Sequence, residues 1–186
     1  MPQDPVTLYT LGHGDRSLEE ALELLRRAGI QCLVDIRAYP RSRRHPQFND
    51  DPLRAALDEA GLVYHWAGRQ LGGLRRGRAD SPHHALTDEG LRAFADHMDT
   101  AEFERGVAQL TRLALKSPCA VLCAERAPER CHRSLLADYL TLNGLRVVHL
   151  LEEGESREHL LSPLARRESG RLIYDRNSQH SLGLDS

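Results

Sequence analysis

The stretch CAVLCAERAPERCHRSLLADYLTLNGLRVVHLL, Cys119 to Leu151, decides the fold. Its first residues, Cys119 to Ala124, form an apolar run of strand length. Arg133 to Asn143 then carries leucines at helical spacing, and Gly144 supplies the stop. Leu145 to Leu151 is a second apolar run. Strand, helix, strand is the crossover unit of a parallel sheet.

The same alternation runs upstream. Val6 to Gly12 (VTLYTLG) reads as a strand, and Ser17 opens S-L-E-E, a capping box completed by Glu20. Leu18, Leu22 and Leu25 keep helical spacing before Gly29. Gln31 to Ile36 is the second strand, Asp51 and Pro52 open a short helix closing near Gly61, and Leu62 to Trp66 is the third strand. A polar, Gly- and Arg-rich connection spans Ala67 to Leu86, after which Thr87 and Thr100 read as N-caps of two helices. Beyond Glu152 the pattern gives one weak helix and a polar tail. The expectation is an α/β protein: a single domain over residues 1–170, with a mainly parallel sheet of about five strands and helices on both faces, Rossmann-like and three-layered. Residues 171–186 are expected to form a frayed C-terminal tail.

Composition sets outer bounds. The chain has 186 residues, 40% hydrophobic and 28% charged, as an ordinary globular domain does. Mean hydropathy is −0.50 and no long apolar run occurs, so no membrane span is expected. The opening MPQDPVTLYTLG lacks a basic stretch and an uninterrupted apolar one, which argues against a secretory signal. A cytoplasmic protein with Cys32, Cys119, Cys123 and Cys131 reduced follows. A net charge of −2 excludes a polycation. The basic residues are nearly all arginine, with Lys116 the only lysine, through coding bias or for planar recognition of carboxylate and phosphate.

In a parallel sheet, ligands bind beyond the carboxyl ends of the strands. His13, Asp15 and Arg16 follow the first strand. Asp35 and Arg37 close the second, with Arg41, Ser42, Arg43 and Arg44 next. Cys123 and Glu125 close the fourth, followed by Cys131, His132 and Arg133. Three distant loops are therefore expected on one rim. A cysteine at a helix start among arginines favours the thiolate, so Cys123 or Cys131 is the candidate nucleophile, with Glu125 and His132 as proton carriers. His13, Asp35, Arg37, Ser42 and Arg133 are the candidate substrate-binding residues, and Gly72, Gly73, Arg75 and Arg76 lie in a candidate lid. Each has a plainer reading. Cys123 is equally a small core residue, whereas core burial is less natural for Cys131. The outer arginines are equally a solvated loop. His83 and His84 read as inert, and His149 as a satisfied core or cleft residue.

Cys123, Cys131, His132 and His13 could surround zinc, but the C-x7-C-H spacing is not a tight zinc pair. Cys123-Ala124-Glu125 is similar to the C-A-E of nucleoside deaminases, yet no P-C-x-x-C follows it. No metal is assigned, and zinc stays a minority reading. Neither G-x-G-x-x-G nor G-K-[ST] occurs, so no cofactor is required.

CLVDIRAYP resembles the strand-plus-D-x-R opening of rhodanese domains, and the stretch after Ala120 resembles their active-cysteine strand, loop and helix. Phosphatase-type C-x5-R fails here, because Glu129 holds the arginine position. TLGHGDRS, LVDIRAYPRSRRHPQF, LGGL and CAERAPERCHRS together resemble domain-of-unknown-function family 488 over Thr7 to Arg166. That resemblance implies one α/β domain. It points to His13, Asp35, Arg37, Pro40, Ser42, Pro46, Phe48, Gly72, Gly73, Cys123, Glu125, Cys131, His132 and Arg133, and supplies no reaction. The resulting expectation is a small enzyme, a cysteine-nucleophile transferase or hydrolase, on an anionic substrate of nucleotide or nucleic-acid origin. The alternatives are a nucleic-acid-binding module using its arginine loops, and a metal- or redox-sensing domain.

Overall fold

Ser17 caps the first helix as its sequence requires. Its hydroxyl accepts from the Glu20 amide at 3.1 Å, and the Glu20 carboxylate accepts from the Ser17 amide at 2.7 Å. The computed structural model describes residues 4–176. Along it run β1 (Thr7–Gly12), α1 (Leu18–Arg27), β2 (Cys32–Asp35), α2 (Asp50–Glu59), β3 (Val63–Trp66), α3 (Gly68–Leu71), α4 (Glu89–His97), α5 (Ala101–Lys116), β4 (Cys119–Cys123), α6 (Arg133–Leu142) and β5 (Arg146–Glu152). After these come β6 (Glu155–Glu158), β7 (Ala165–Glu168) and β8 (Arg171–Tyr174).

The main sheet has the order β3-β2-β4-β1-β5-β6. Its first five strands are parallel, and β6 is an antiparallel edge. Every residue of β4, and of β2 beside it, is buried. Successive residues face opposite layers. Leu33 and Leu122 join Leu11, Leu25 and Phe48 on one face, while Val34 and Val121 join Leu8, Phe94, Phe103 and Leu136 on the other. The apolar runs thus report a sheet covered on both sides. Gly12 pairs with Cys123 and Asp35 with Leu122, so β1, β2 and β4 end on one rim.

The expectation fails after Glu152. Among the described residues no helix forms there: ESRE becomes the sixth strand, fully exposed and so without an apolar pattern to announce it. Residues 171–174 are not a frayed tail but β8, closed on β7 by a Ser169–Gly170 turn with both φ positive. Leu172, Ile173 and Tyr174 are buried, so the folded unit passes residue 170. The rest of that expected tail, 177–186, lies outside the described residues. Helix α4 is capped by Asp88 rather than Thr87, its carboxylate accepting from the Leu91 amide at 2.8 Å. Among the described residues no helix is long and apolar enough to cross a membrane.

Candidate functional site

Cys123 ends β4 and Cys131 lies two residues before α6, next to its N-cap His132. The intervening loop brings their sulfurs to 2.8 Å, as free thiols. Arg133, the first residue of α6, is 1% exposed. Its Nη1 donates to Cys123 Sγ at 2.6 Å and to the Glu125 carbonyl, its Nη2 to the Arg126 carbonyl at 2.8 Å, and its Nε to Thr10 Oγ1 at 3.2 Å. Among the described residues no carboxylate pairs with it. A buried guanidinium without a counter-charge favours an anion beside it, and the thiols are the acidic groups in reach.

Cys131 collects the stabilising contacts. Its sulfur lies 2.8 Å from Cys123 Sγ, 3.5 Å from His132 Nδ1 and 3.5 Å from the Arg133 amide. The Cys123 hydrogen bond above all, then His132 and Arg133, bring its pKa down to about 4 against the opposing effect of burial. Burial first, and then Cys131, pushes Cys123 the other way. The two opposite shifts favour a negative charge on Cys131, with the Cys123 S–H turned to it and the Arg133 guanidinium behind Cys123.

His132 is held in place from two sides. Phe94 meets its ring edge-on at 4.9 Å, and a Cβ on Gly73 would stand 2.7 Å from its Nδ1. Gly72 is as tight, since a Cβ there would stand 2.3 Å from the Gly68 carbonyl. Arg75 ties the segment back by donating to the Gly72 and Arg69 carbonyls. Gly72, Gly73 and Arg75 thus form a packed wall where a lid was expected, and Arg76 points outward, exposed.

His13 follows β1, stacked on Phe48 with ring centroids 4.5 Å apart. Its Nδ1 is 2.9 Å from the Gly14 carbonyl, which only accepts, so Nδ1 carries the proton and Nε2 keeps a free lone pair. Burial is the main reason its pKa falls to about 4, with Arg37 and His45 adding to the fall and Gly14 and Asp35 opposing it. Between about pH 6.5 and 4 the unfolded chain then binds a proton at this residue that the folded chain does not. Stability should drop as pH falls through that window. His13→Asn should remove about one proton from the pH slope measured by denaturant unfolding.

Asp35, expected to touch substrate, stands behind the site instead. It is fully buried, takes a two-point contact from Arg37 at 2.9 and 2.6 Å, and accepts from the Tyr64 hydroxyl at 2.8 Å. Arg37 also donates to the Phe48 carbonyl at 2.7 Å, which leaves Nη1 for the cleft. Ser42 shapes its loop: its amide donates to Asn49 Oδ1 at 2.6 Å and its hydroxyl accepts from His45 at 3.0 Å. Arg133 likewise braces the site and does not line it.

One cleft of about 690 Å³ joins what remains. His13, Arg37, Ser42, Gly73, Cys123, Glu125, Cys131 and His132 line it, with Tyr39, Arg44, His45 and Arg130. Thr10 and Tyr64 went unread in the sequence, although each is a polar residue inside an apolar strand, whereas Arg44 was weighed equally as a functional and a solvated residue and Arg130 was among the arginines expected around the cysteines. His83, expected to be inert, is buried, with Nδ1 3.2 Å from the Tyr174 amide. Among the described residues no group of three or more His, Cys, Asp or Glu side chains could hold a metal ion. Cys123, Cys131 and His132 bond to one another instead, and His13 bonds to Gly14.

The fold and rim define an α/β protein with a paired-cysteine cleft at the carboxyl edge of a parallel sheet. The chain belongs to the family described as domain of unknown function DUF488, whose family model matches residues 17–140. That span runs from the α1 cap to within α6 and includes the whole cysteine loop. No curated protein and no solved structure gives a significant match.

Proposed function

We propose that the chain is a cytoplasmic thiol-dependent enzyme, a cysteine-nucleophile transferase or hydrolase acting on an anionic substrate of nucleotide or nucleic-acid origin. One observation carries this reading: the buried Arg133 guanidinium has no carboxylate partner among the described residues and sits on the Cys123–Cys131 pair. Cys131 is the nucleophile. Arg37 Nη1, Arg44 and Arg130 hold the anionic group, and the exposed Tyr39 ring at the mouth suits an aromatic base. The cleft volume is in the range of small-molecule sites.

The Cys131 thiolate attacks the electrophilic centre, and the leaving group departs with its bonding pair beside the arginines. A hydroxyl acceptor, water in the hydrolytic case, then gives its proton to His13 Nε2, attacks the adduct and releases Cys131 as thiolate again. His132 orients the sulfur. Glu125, expected to carry protons, contributes its backbone carbonyl to Arg133, while its exposed carboxylate stands at the mouth. A reducing cytoplasm suits free thiols.

Iodoacetamide alkylation followed against pH tests the assignment. Cys131 should react as a thiolate from about pH 5 upward, far below an ordinary thiol near ~8.5, and Cys131→Ser should lose that reactive equivalent. Titration of Cys131 near the ordinary value would end the proposal.

A further inference from the structure

A buried polar chain leaves the cysteine site and crosses the sheet. Arg133 Nε reaches Thr10 Oγ1, which lies 2.7 Å from His149 Nδ1. His149 Nε2 is 2.9 Å from His159 Nδ1, and His159 Nε2 is 2.7 Å from Asp138 Oδ1. Asp138 also accepts from the Tyr174 hydroxyl at 2.8 Å and the Ser162 amide at 3.0 Å. Thr10 and His149 face each other across β1 and β5. The chain begins and ends on α6, whose first turn supports Cys131.

Chemistry fixes its direction. Arg133 only donates, so Thr10 accepts there. The Asp138 carboxylate only accepts, so His159 Nε2 carries a proton, and with a single proton on that ring its Nδ1 accepts. His149 must then donate from Nε2 and accept at Nδ1, and the Thr10 hydroxyl must donate to it. Burial, with His159, Arg133 and Arg157 adding to it and Glu129 opposing, keeps His149 neutral. A charged His149 would reverse the bond to Thr10 and place a second cation near Arg133.

We infer that Thr10, His149 and His159 are positioning residues of the cysteine site, forming a one-way donor chain from Arg133 to Asp138 that aims the guanidinium at Cys123 and the loop carbonyls. The inference rests on Cys131 being the nucleophile. A network that served stability alone would, when broken, lower the melting temperature and leave the thiolate unmoved.

The test compares His149→Leu, which breaks the chain, with His149→Gln, whose amide accepts from Thr10 and donates to His159. The midpoint of Cys131 alkylation should rise by about one unit in the leucine variant, and glutamine should bring it back to within about a third of a unit. An unchanged midpoint in a folded leucine variant overturns the inference, as does failure of glutamine to restore it. Nitrogen NMR of the unsubstituted protein decides the matter if the leucine variant does not fold. Both rings should carry their proton on Nε2, and a proton on Nδ1 of either overturns the chain. If Cys131 in the unsubstituted protein titrates as an ordinary thiol, the proposed function fails, while the ring tautomers still report on the chain itself.

Discussion

Arg133→Met is expected to abolish the thiolate and loosen the loop that carries it. Cys123 contributes most to holding Cys131 ionised, followed by His132 and Arg133, and burial works against all three. Without the guanidinium, the Cys123 S–H loses the donor that polarises it, and the buried negative charge loses the cation that sits beside the pair. Alkylation of Cys131 at about pH 6 should fall on the order of 100-fold as its midpoint returns toward ~8.5. Methionine keeps the unbranched stem but leaves the Glu125 and Arg126 carbonyls and Thr10 Oγ1 without their donor, a loss of about 3 kcal/mol in denaturant unfolding. Pairing this change with Cys131→Ala separates charge balance from bracing. If Arg133 is the counter-ion, the double variant loses less than the two single losses added together. A depressed thiol pKa stabilises the fold fully above the unfolded value near ~8.5 and not at all below the folded one, so the coupling should vanish as pH falls through about 4. Strict additivity at neutral pH would make Arg133 a brace and nothing more.

Much of this geometry was legible in the sequence because it rests on local signals. Apolar runs gave β1, β2 and β4, and S-L-E-E gave the start of α1 to the residue. Parallel strands that end in register then place His13, Arg37 and Cys123 on one rim. What escaped notice has a common cause: long-range satisfaction of buried polar groups leaves no periodic trace. Asp35 and Arg133 look like ligand-binding residues in the sequence because they are charged and near the rim. In the fold their charges turn inward, to Tyr64 and Arg37 in one case and to Thr10, Cys123 and two carbonyls in the other. Strand β6 was hidden by its uniformly polar composition. Cys131 is the instructive reversal: it is buried after all, and within that burial its sulfur meets Cys123 and His132.

Gly12→Ala should be among the most damaging small substitutions in the chain. A methyl group there would lie 1.8 Å from the Glu125 carbonyl oxygen, 2.7 Å from its carbon and 2.8 Å from Arg133 Nη1. None of these atoms is free to retreat. The carbonyl is fixed by Arg133, and the strand on which it follows is bonded to β1 on either side of the contact, through the Gly12–Cys123 register and the His13 amide to the Cys123 carbonyl at 3.0 Å. Relief would require prising β1 from β4 at the rim, so about 3 kcal/mol of stability should be lost in denaturant unfolding. Gly144→Ala is the proper control. Its Cβ would meet nothing within 4 Å, and only its φ of +86° opposes the change, at about 1 kcal/mol. If Gly12→Ala costs no more than this control, the loop does not press on β1. Arg133 would then lack the anchored carbonyl that aims it, and the pairing of guanidinium with thiolate would lose its structural basis.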